Sequence, residues 1–355
     1  MVNLVFVFLC ALCGKKKHIT VNKSHILSIF YLFTVFSITA QNRKHTFQRP
    51  KMGSPFIIVA YATDSLKLSA AVEKAYLRVD ILNAIFSDYL ETSEISLLAK
   101  APAKTWQKVS PDLMNMLKIS QKAAQMSDNA YDITVGNIVK LWRKARKEKK
   151  LPAKKDIELA LSKTGFKHIE LDTLNAQIRL NTEGVRLDFG GIVKGYAAQE
   201  VVRILKEEGF KYALVDAGGD LAMSEKPSDT EGWQIAVSLP NSENQLLPRF
   251  LSLKNQAVAT SGDMYNFLEI NGKRYSHIVN PKTGLGLTHQ RNVTIVAPDG
   301  ALADWLATAC SVLSIKKALK LVKQFPNTDI LILENKKGQI KKWESGGFSQ
   351  YFSSN

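Results

Sequence analysis

Asp304 and Thr308 stand four residues apart in a stretch, 301–325, whose apolar spacing predicts helix, so a carboxylate and a hydroxyl project from one face. Two hard oxygens so placed suit Mg²⁺, which fills its other positions with water or phosphate oxygens. A helix-end acid beside a back-bonded threonine is the alternative reading of the same spacing. Tyr275-Ser276-His277 follows a turn at Asn271-Gly272 between two predicted strands. Neighbours on a strand point to opposite faces, so Ser276 and His277 cannot pair as nucleophile and base. His277 remains either a structural histidine or a proton acceptor, and Asp263 is a second candidate for that role. Glycine turns beside aspartates recur at 188–191, 216–220 and 261–263. Glycine allows close backbone approach, so such turns either reverse the chain or build a polar site at strand ends that can hold phosphate. No G-x-S-x-G, G-x-x-x-x-G-K-[ST] or H-E-x-x-H occurs, which leaves serine-hydrolase, P-loop and zincin chemistry without support. Cys310 reads as a small buried apolar residue rather than a nucleophile.

The elements that must position these residues alternate between strand and helix, which predicts a mixed α/β body. Strands are expected at 55–62, 185–189, 212–215, 256–260 and 329–333. Helices are expected at 66–90, 113–127, 157–161 and 192–208, with one long helical region over 301–325. Residues 169–180 read as a hairpin turning at Thr173-Leu174-Asn175-Ala176.

At 355 residues, 45% hydrophobic and 23% charged, the chain can build a substantial core, which excludes a disordered or disulfide-stapled protein. Without a run of 18 apolar residues, a polytopic membrane protein is excluded too. The net charge of +16 is concentrated in two blocks. One is the first 50 residues, with basic side chains and no acid; the other is Leu141 to Lys155, with eight Lys/Arg against Glu148. Neither is a basic face with interleaved aromatics, so nucleic acid is not the expected partner. The second block reads as a solvated loop or helix end, or as a dock for an acidic target through Arg143, Lys144 and Arg146. Residues 1–40 read as an export signal region: Lys23, an apolar stretch from Ile26 to Ala40, then Gln41. Translation is expected to begin at Val21, and the body to be exported, periplasmic or on the outer face of the inner membrane, with peripheral membrane association. Residues 41–51 read as a basic spacer and 52–355 as one domain.

Eight segments, in order, carry a resemblance. They are FQRPKMGSPF, SDYLETSEISLL, AYDITVGNIVKLW, RLDFGGIVKGYAAQEV, ALVDAGGDL, AVATSGDMYNF, RYSHIVNPKTG and APDGALADWLATA. The chain resembles the ApbE family of flavin transferases (FAD:protein FMN transferases) over more than four-fifths of its length, departing at Ser54, Ala99 and Asn137. The resemblance implies an α/β (mixed α+β) fold, mixed sheets flanked by helices, with an FAD site between two subdomains. It implies that Met52, Tyr89, Ala130, Tyr131, Asp132, Asp188, Lys194 and Val279 contact FAD. Asp304 and Thr308 would hold Mg²⁺, with backbone carbonyls near Gly191 and Ala307. FMN would pass to a Thr or Ser hydroxyl of a target protein, with AMP released and His277 or Asp263 taking the proton. The implied partner is an FMN-binding target, either an Nqr/Rnf-type subunit of an ion-pumping or electron-transport complex or a secreted flavoprotein reductase. An FAD pyrophosphatase and a non-catalytic FAD-binding protein are the alternative readings.

Overall fold

Strand periodicity decides the layering. In β14 (Asp329–Lys336), Ile330 and Ile332 enter one core while Leu331 and Leu333 enter another. In β13 (Gln290–Ala297), Val293, Ile295 and Ala297 face the first core and Val296 the second. A sheet apolar on both faces must be covered on both. The computed structural model describes residues 42–240, 246–262 and 266–353. The predicted export region and Asp263 lie outside them.

The chain opens with β1 (Arg43–Lys51) and β2 (Ser54–Ala62), then α1 (Ser65–Phe86), α2 (Glu94–Leu98), β3 (Trp106–Lys108) and α3 (Pro111–Met126). Next come α4 (Gly136–Glu148), α5 (Lys154–Leu161), β4 (Ile169–Asp172), β5 (Gln177–Leu180), α6 (Val193–Glu207), β6 (Ala213–Ala217) and β7 (Asp220–Met223). The remainder is β8 (Trp233–Ile235), β9 (Leu251–Leu253), β10 (Gln256–Ser261), β11 (Phe267–Ile270), β12 (Lys273–Ser276), β13, α7 (Gly300–Val312), α8 (Ile315–Val322), β14 and β15 (Gln339–Glu344). The large sheet has eight strands in the order β1-β2-β6-β7-β10-β13-β14-β15, every ladder antiparallel. Helices α1, α6 and α7 bury their apolar residues in the first core, and the β8–β9 ribbon with Phe348 and Tyr351 closes the second. A third cluster joins Ile138, Trp142 and Ala145 of α4 to Ala160, Leu268 and Val279. The observed fold is thus mixed α+β, as expected. Among the described residues, no helix is long and apolar enough to cross a membrane.

Three local expectations are corrected. Arg43–Lys51 is a strand, not a spacer: all nine residues pair with β2 through a two-residue turn at Met52 (φ 50°) and Gly53 (φ 75°). Its basic, exposed side chains are those of an edge strand. Residues 185–189 alternate in burial but join no ladder; Asp188 N–H instead donates to the Ile133 carbonyl at 2.7 Å. The long helical region breaks at Leu313, where the Ser314 hydroxyl caps α8. Of the two readings of the basic block, the helix holds: α4 ends on Lys149 in the left-handed region and buries Trp142, whose indole N–H donates to Gly284 O at 2.7 Å.

Helices α6 and α7 meet backbone to backbone. A Cβ on Gly195 would lie 2.1 Å from the Gly300 carbonyl oxygen, and a Cβ on Gly300 equally close to that of Gly195. Gly195→Ala is therefore expected to cost about 2 kcal/mol or more, the scale of overpacking a tight core, read as a lower urea midpoint at unchanged slope. Gly346→Ala, where a Cβ meets nothing within 4 Å, is the near-neutral comparison.

Candidate active site

The glycine turns converge. Gly190 and Gly191, Gly218 and Gly219, and Gly262 all line one cleft of about 760 Å³ between the large sheet's strand ends and the lobe built on α4. Two of the turns are tied by their aspartates: Asp188 Oδ1 accepts from Gly190 N–H and Asp216 Oδ1 from Gly219 N–H, both at 2.7 Å. Gly218, at φ +74°, also leaves room for Ser54, whose Oγ would lie 2.6 Å from a Cβ there.

On one wall, Asp304 and Thr308 face the cleft from α7, as their spacing predicts. Asp304 is 5% exposed, and its Oδ2 accepts from Gly195 N–H at 3.1 Å. Lys194, one residue earlier on α6, ion-pairs with Asp220 at 2.5 Å. Burial and then the neighbouring Asp220 push the Asp304 carboxyl well above the usual carboxylate range, against the pull of Lys194. Burial works against the Lys194 ammonium, but the Asp220 and Asp304 carboxylates outweigh it and hold its pKa above the ordinary value.

These residues fit a divalent cation. Two mutually repelling buried carboxylates have one lysine between them, so added positive charge on this wall is stabilising. Gly191 gives the hydroxyl room, since a Cβ there would sit 2.7 Å from Thr308 Oγ1. Among the described residues, no group of three or more His, Cys, Asp or Glu is placed to hold a metal. A cation here would therefore draw on backbone, hydroxyl, water and phosphate oxygens, the ligand set of Mg²⁺ rather than Zn²⁺.

Across the cleft, the backbone N–H of His277 and its ring Nδ1 both meet the Asn266 carbonyl, at 2.9 and 3.1 Å. Nδ1 therefore carries the proton, and Nε2 is left as an acceptor. Burial, with Arg146, Lys194 and Arg143 nearby, pushes this imidazole down to about 4. It is neutral, hence able to accept a proton, through the physiological range.

Of the described site residues implied by the resemblance, all but Met52 and Ala307 line the cleft. Tyr89, Ala130, Tyr131, Asp132, Asp188, Lys194 and Val279 line the cleft with Gly191, His277, Asp304 and Thr308. Tyr131 is buried and packs against Trp305, so its ring is part of the core rather than a platform. Asp132 accepts from the Thr134 backbone at 2.8 Å and from its hydroxyl at 2.6 Å. Met52, in the β1–β2 turn, packs on the first core and is not among the lining residues. Ala307 is buried in α7 and not among them either. Arg143 and Arg146, expected on a solvated surface, line the cleft because the buried face of α4 turns them inward. The neutral polar wall of Ser238, Thr260 and Asn292 was not anticipated; its one sequence signal was the third glycine turn.

Known proteins resemble this chain in sequence and in fold. The chain is 26% identical to an FAD:protein FMN transferase of Escherichia coli K12 over 298 residues, 82% of this chain and 84% of that one. It is 29% identical to the FAD:protein FMN transferase of Treponema pallidum over 281 residues, 75% and 78% of the two chains. Among solved structures, the apo form of the Pseudomonas stutzeri flavinyl transferase ApbE matches with a TM-score of 0.78 at 25% identity, over 89% of this chain and 98% of that one. The ApbE protein of Thermotoga maritima matches with a TM-score of 0.78 at 29% identity, over 88% and 100%. Similarity to these relatives over most of the chain marks an enzyme of the transferase class. The ApbE family model matches residues 52–332, and the chain belongs to the ApbE family.

The His277 environment gives a direct test. In the apo protein, the ring is expected to titrate near 4 instead of the ordinary ~6.5, followed by long-range ¹H–¹⁵N NMR of the imidazole. The folded ring resists protonation, so its contribution to stability is lost as pH falls from about 6.5 towards 4.

Proposed function

We propose that this enzyme transfers FMN from FAD to a Thr or Ser hydroxyl of a partner protein and releases AMP, with Mg²⁺ bound at Asp304 and Thr308. The observation that carries the reading is the pairing of opposite walls. Lys194 and Asp304 lie on one side, and a neutral His277 with an open Nε2 on the other.

The acceptor oxygen attacks the phosphorus of the FMN half. A P–O bond to the acceptor forms, the bridging P–O bond breaks, and its electron pair leaves with AMP. His277 Nε2 takes the hydroxyl proton, with Nδ1–H held by the Asn266 carbonyl so that the ring keeps its orientation. Lys194 lies beside the departing negative charge, and the Gly190–Gly191 and Gly218–Gly219 turns let backbone approach the phosphates. When bound, the cation supplies charge neutralisation at the pyrophosphate. Tyr89, on the rim, offers a ring for stacking. The apolar run of residues 26–40 with Lys23 supports an extracytoplasmic site of action, and an FMN-binding subunit or secreted reductase as the acceptor.

The test combines the protein, FAD, Mg²⁺ and an FMN-binding acceptor domain, read by intact mass. An FMN-sized gain on the acceptor is expected, lost without Mg²⁺ and lowered at least a hundredfold in Asp304→Ala, the scale of removing one essential electrostatic group. His277→Ala is expected to lower kcat by 10²–10⁴-fold, roughly the range for a general base, with the KM for FAD little changed. Free FMN and AMP without acceptor labelling would instead identify a pyrophosphatase.

A further inference from the structure

We propose that Arg143 is a positioning residue of the flavin site: its guanidinium backs the Tyr89 ring and, tied to Asp88 and Asp188, fixes that ring as a stacking platform at the rim of the cleft. The inference rests on FAD being the substrate and goes further, to a residue that none of the eight motifs assigns a role.

Tyr89 lies in the short link between α1 and α2 and is 76% exposed. A ring that exposed is free to sample several rotamers, and a ligand stacking on it must order it first, which weakens binding. Arg143 removes much of that freedom. Its Cζ lies 4.2 Å from the Tyr89 ring centroid, within cation–π range. One face of the ring is thereby occupied and one is left for a ligand.

Arg143 is itself held on two sides. Its Nη1 pairs with Asp88, the residue before Tyr89, and its Nη2 lies 3.4 Å from Asp188 Oδ2. The other Asp188 oxygen accepts from Gly190 N–H, next to Gly191. One planar side chain thus joins the aromatic rim to the turn beside the predicted metal position, a three-way contact that a lysine cannot reproduce. With two carboxylates on this guanidinium, its charge is already matched, so its contribution is the placement of Tyr89 rather than attraction of an acidic partner.

The experiment is an equilibrium titration of FAD into the full chain, read by flavin fluorescence. The variants are Arg143→Met, Arg143→Lys, Tyr89→Ala and Arg143→Met/Tyr89→Ala. Arg143→Met is expected to weaken FAD binding by about tenfold, the scale of a partly desolvated cation–π contact, and Arg143→Lys to recover only part of the loss. In the Tyr89→Ala background the Arg143→Met effect should vanish, since a residue acting through the ring cannot act without it. In turnover, the loss should fall mainly on the KM for FAD, with the smaller part in kcat. If Arg143→Met does not fold, Arg143→Lys with and without Tyr89→Ala carries the same comparison. Additive losses in the double variant, or unchanged affinity in the single one, would overturn the inference alone. A wild-type chain that binds no FAD would overturn the substrate reading, and this with it.

Discussion

The contact between Gly195 and Gly300 is the constraint on which the site depends. Two helix N-termini approach so closely that neither position has room for a Cβ. That approach brings Gly195 N–H onto the Asp304 carboxylate and sets Lys194 among Asp220 and Asp304. Any side chain at either glycine would push α6 from α7 and open the distance between cation and carboxylates. The electrostatics of the cleft is in this sense a consequence of backbone packing. The packing is in turn held by the apolar layer that α1, α6 and α7 share with the sheet.

The two walls of the cleft solve opposite problems. On the α7 wall, like charges are crowded and buried, which is costly until a cation or a lysine intervenes. On the other wall, burial together with the nearby Arg146, Lys194 and Arg143 cations keeps the His277 imidazole neutral. Asn137 and Trp142, bonded to the Gly184 and Gly284 carbonyls, anchor the α4 lobe that completes the enclosure.

Much of the site was legible because its residues bear chemistry at fixed spacing. Asp304 and Thr308 were placed by helical period, and the Asp-flanked glycine turns offered a polar site at strand ends as one of two readings. The hairpin at 169–180 and the turn at Asn271-Gly272 were legible from turn chemistry, and both positions of that turn have positive φ. What stayed hidden depends on tertiary partners. Strand β1 shows basic residues because it is an edge, so its sequence resembles a tail. The inward face of α4 rests on Ile138, Trp142 and Ala145, thinly spread among lysines that mask it. Residues 185–189 alternate like a strand, but whether a strand finds a ladder is decided by what lies beside it. Ser314 ends one helix and starts another, a change of direction that apolar spacing does not register.

The strand order has a consequence in time. β2 pairs with β6, setting Phe56 against Ala217, and the sheet is completed by β13 and β14 far downstream. Contacts of such long sequence separation form slowly, since the loops between them must close before any pairing rewards them. The cleft draws its lining from Pro55 through to Thr308, so no leading fragment of the chain contains it. A chain emerging from a ribosome or threading a translocation pore is therefore chemically silent until nearly all of it has arrived. The transfer chemistry comes into being in whichever compartment the last strands reach.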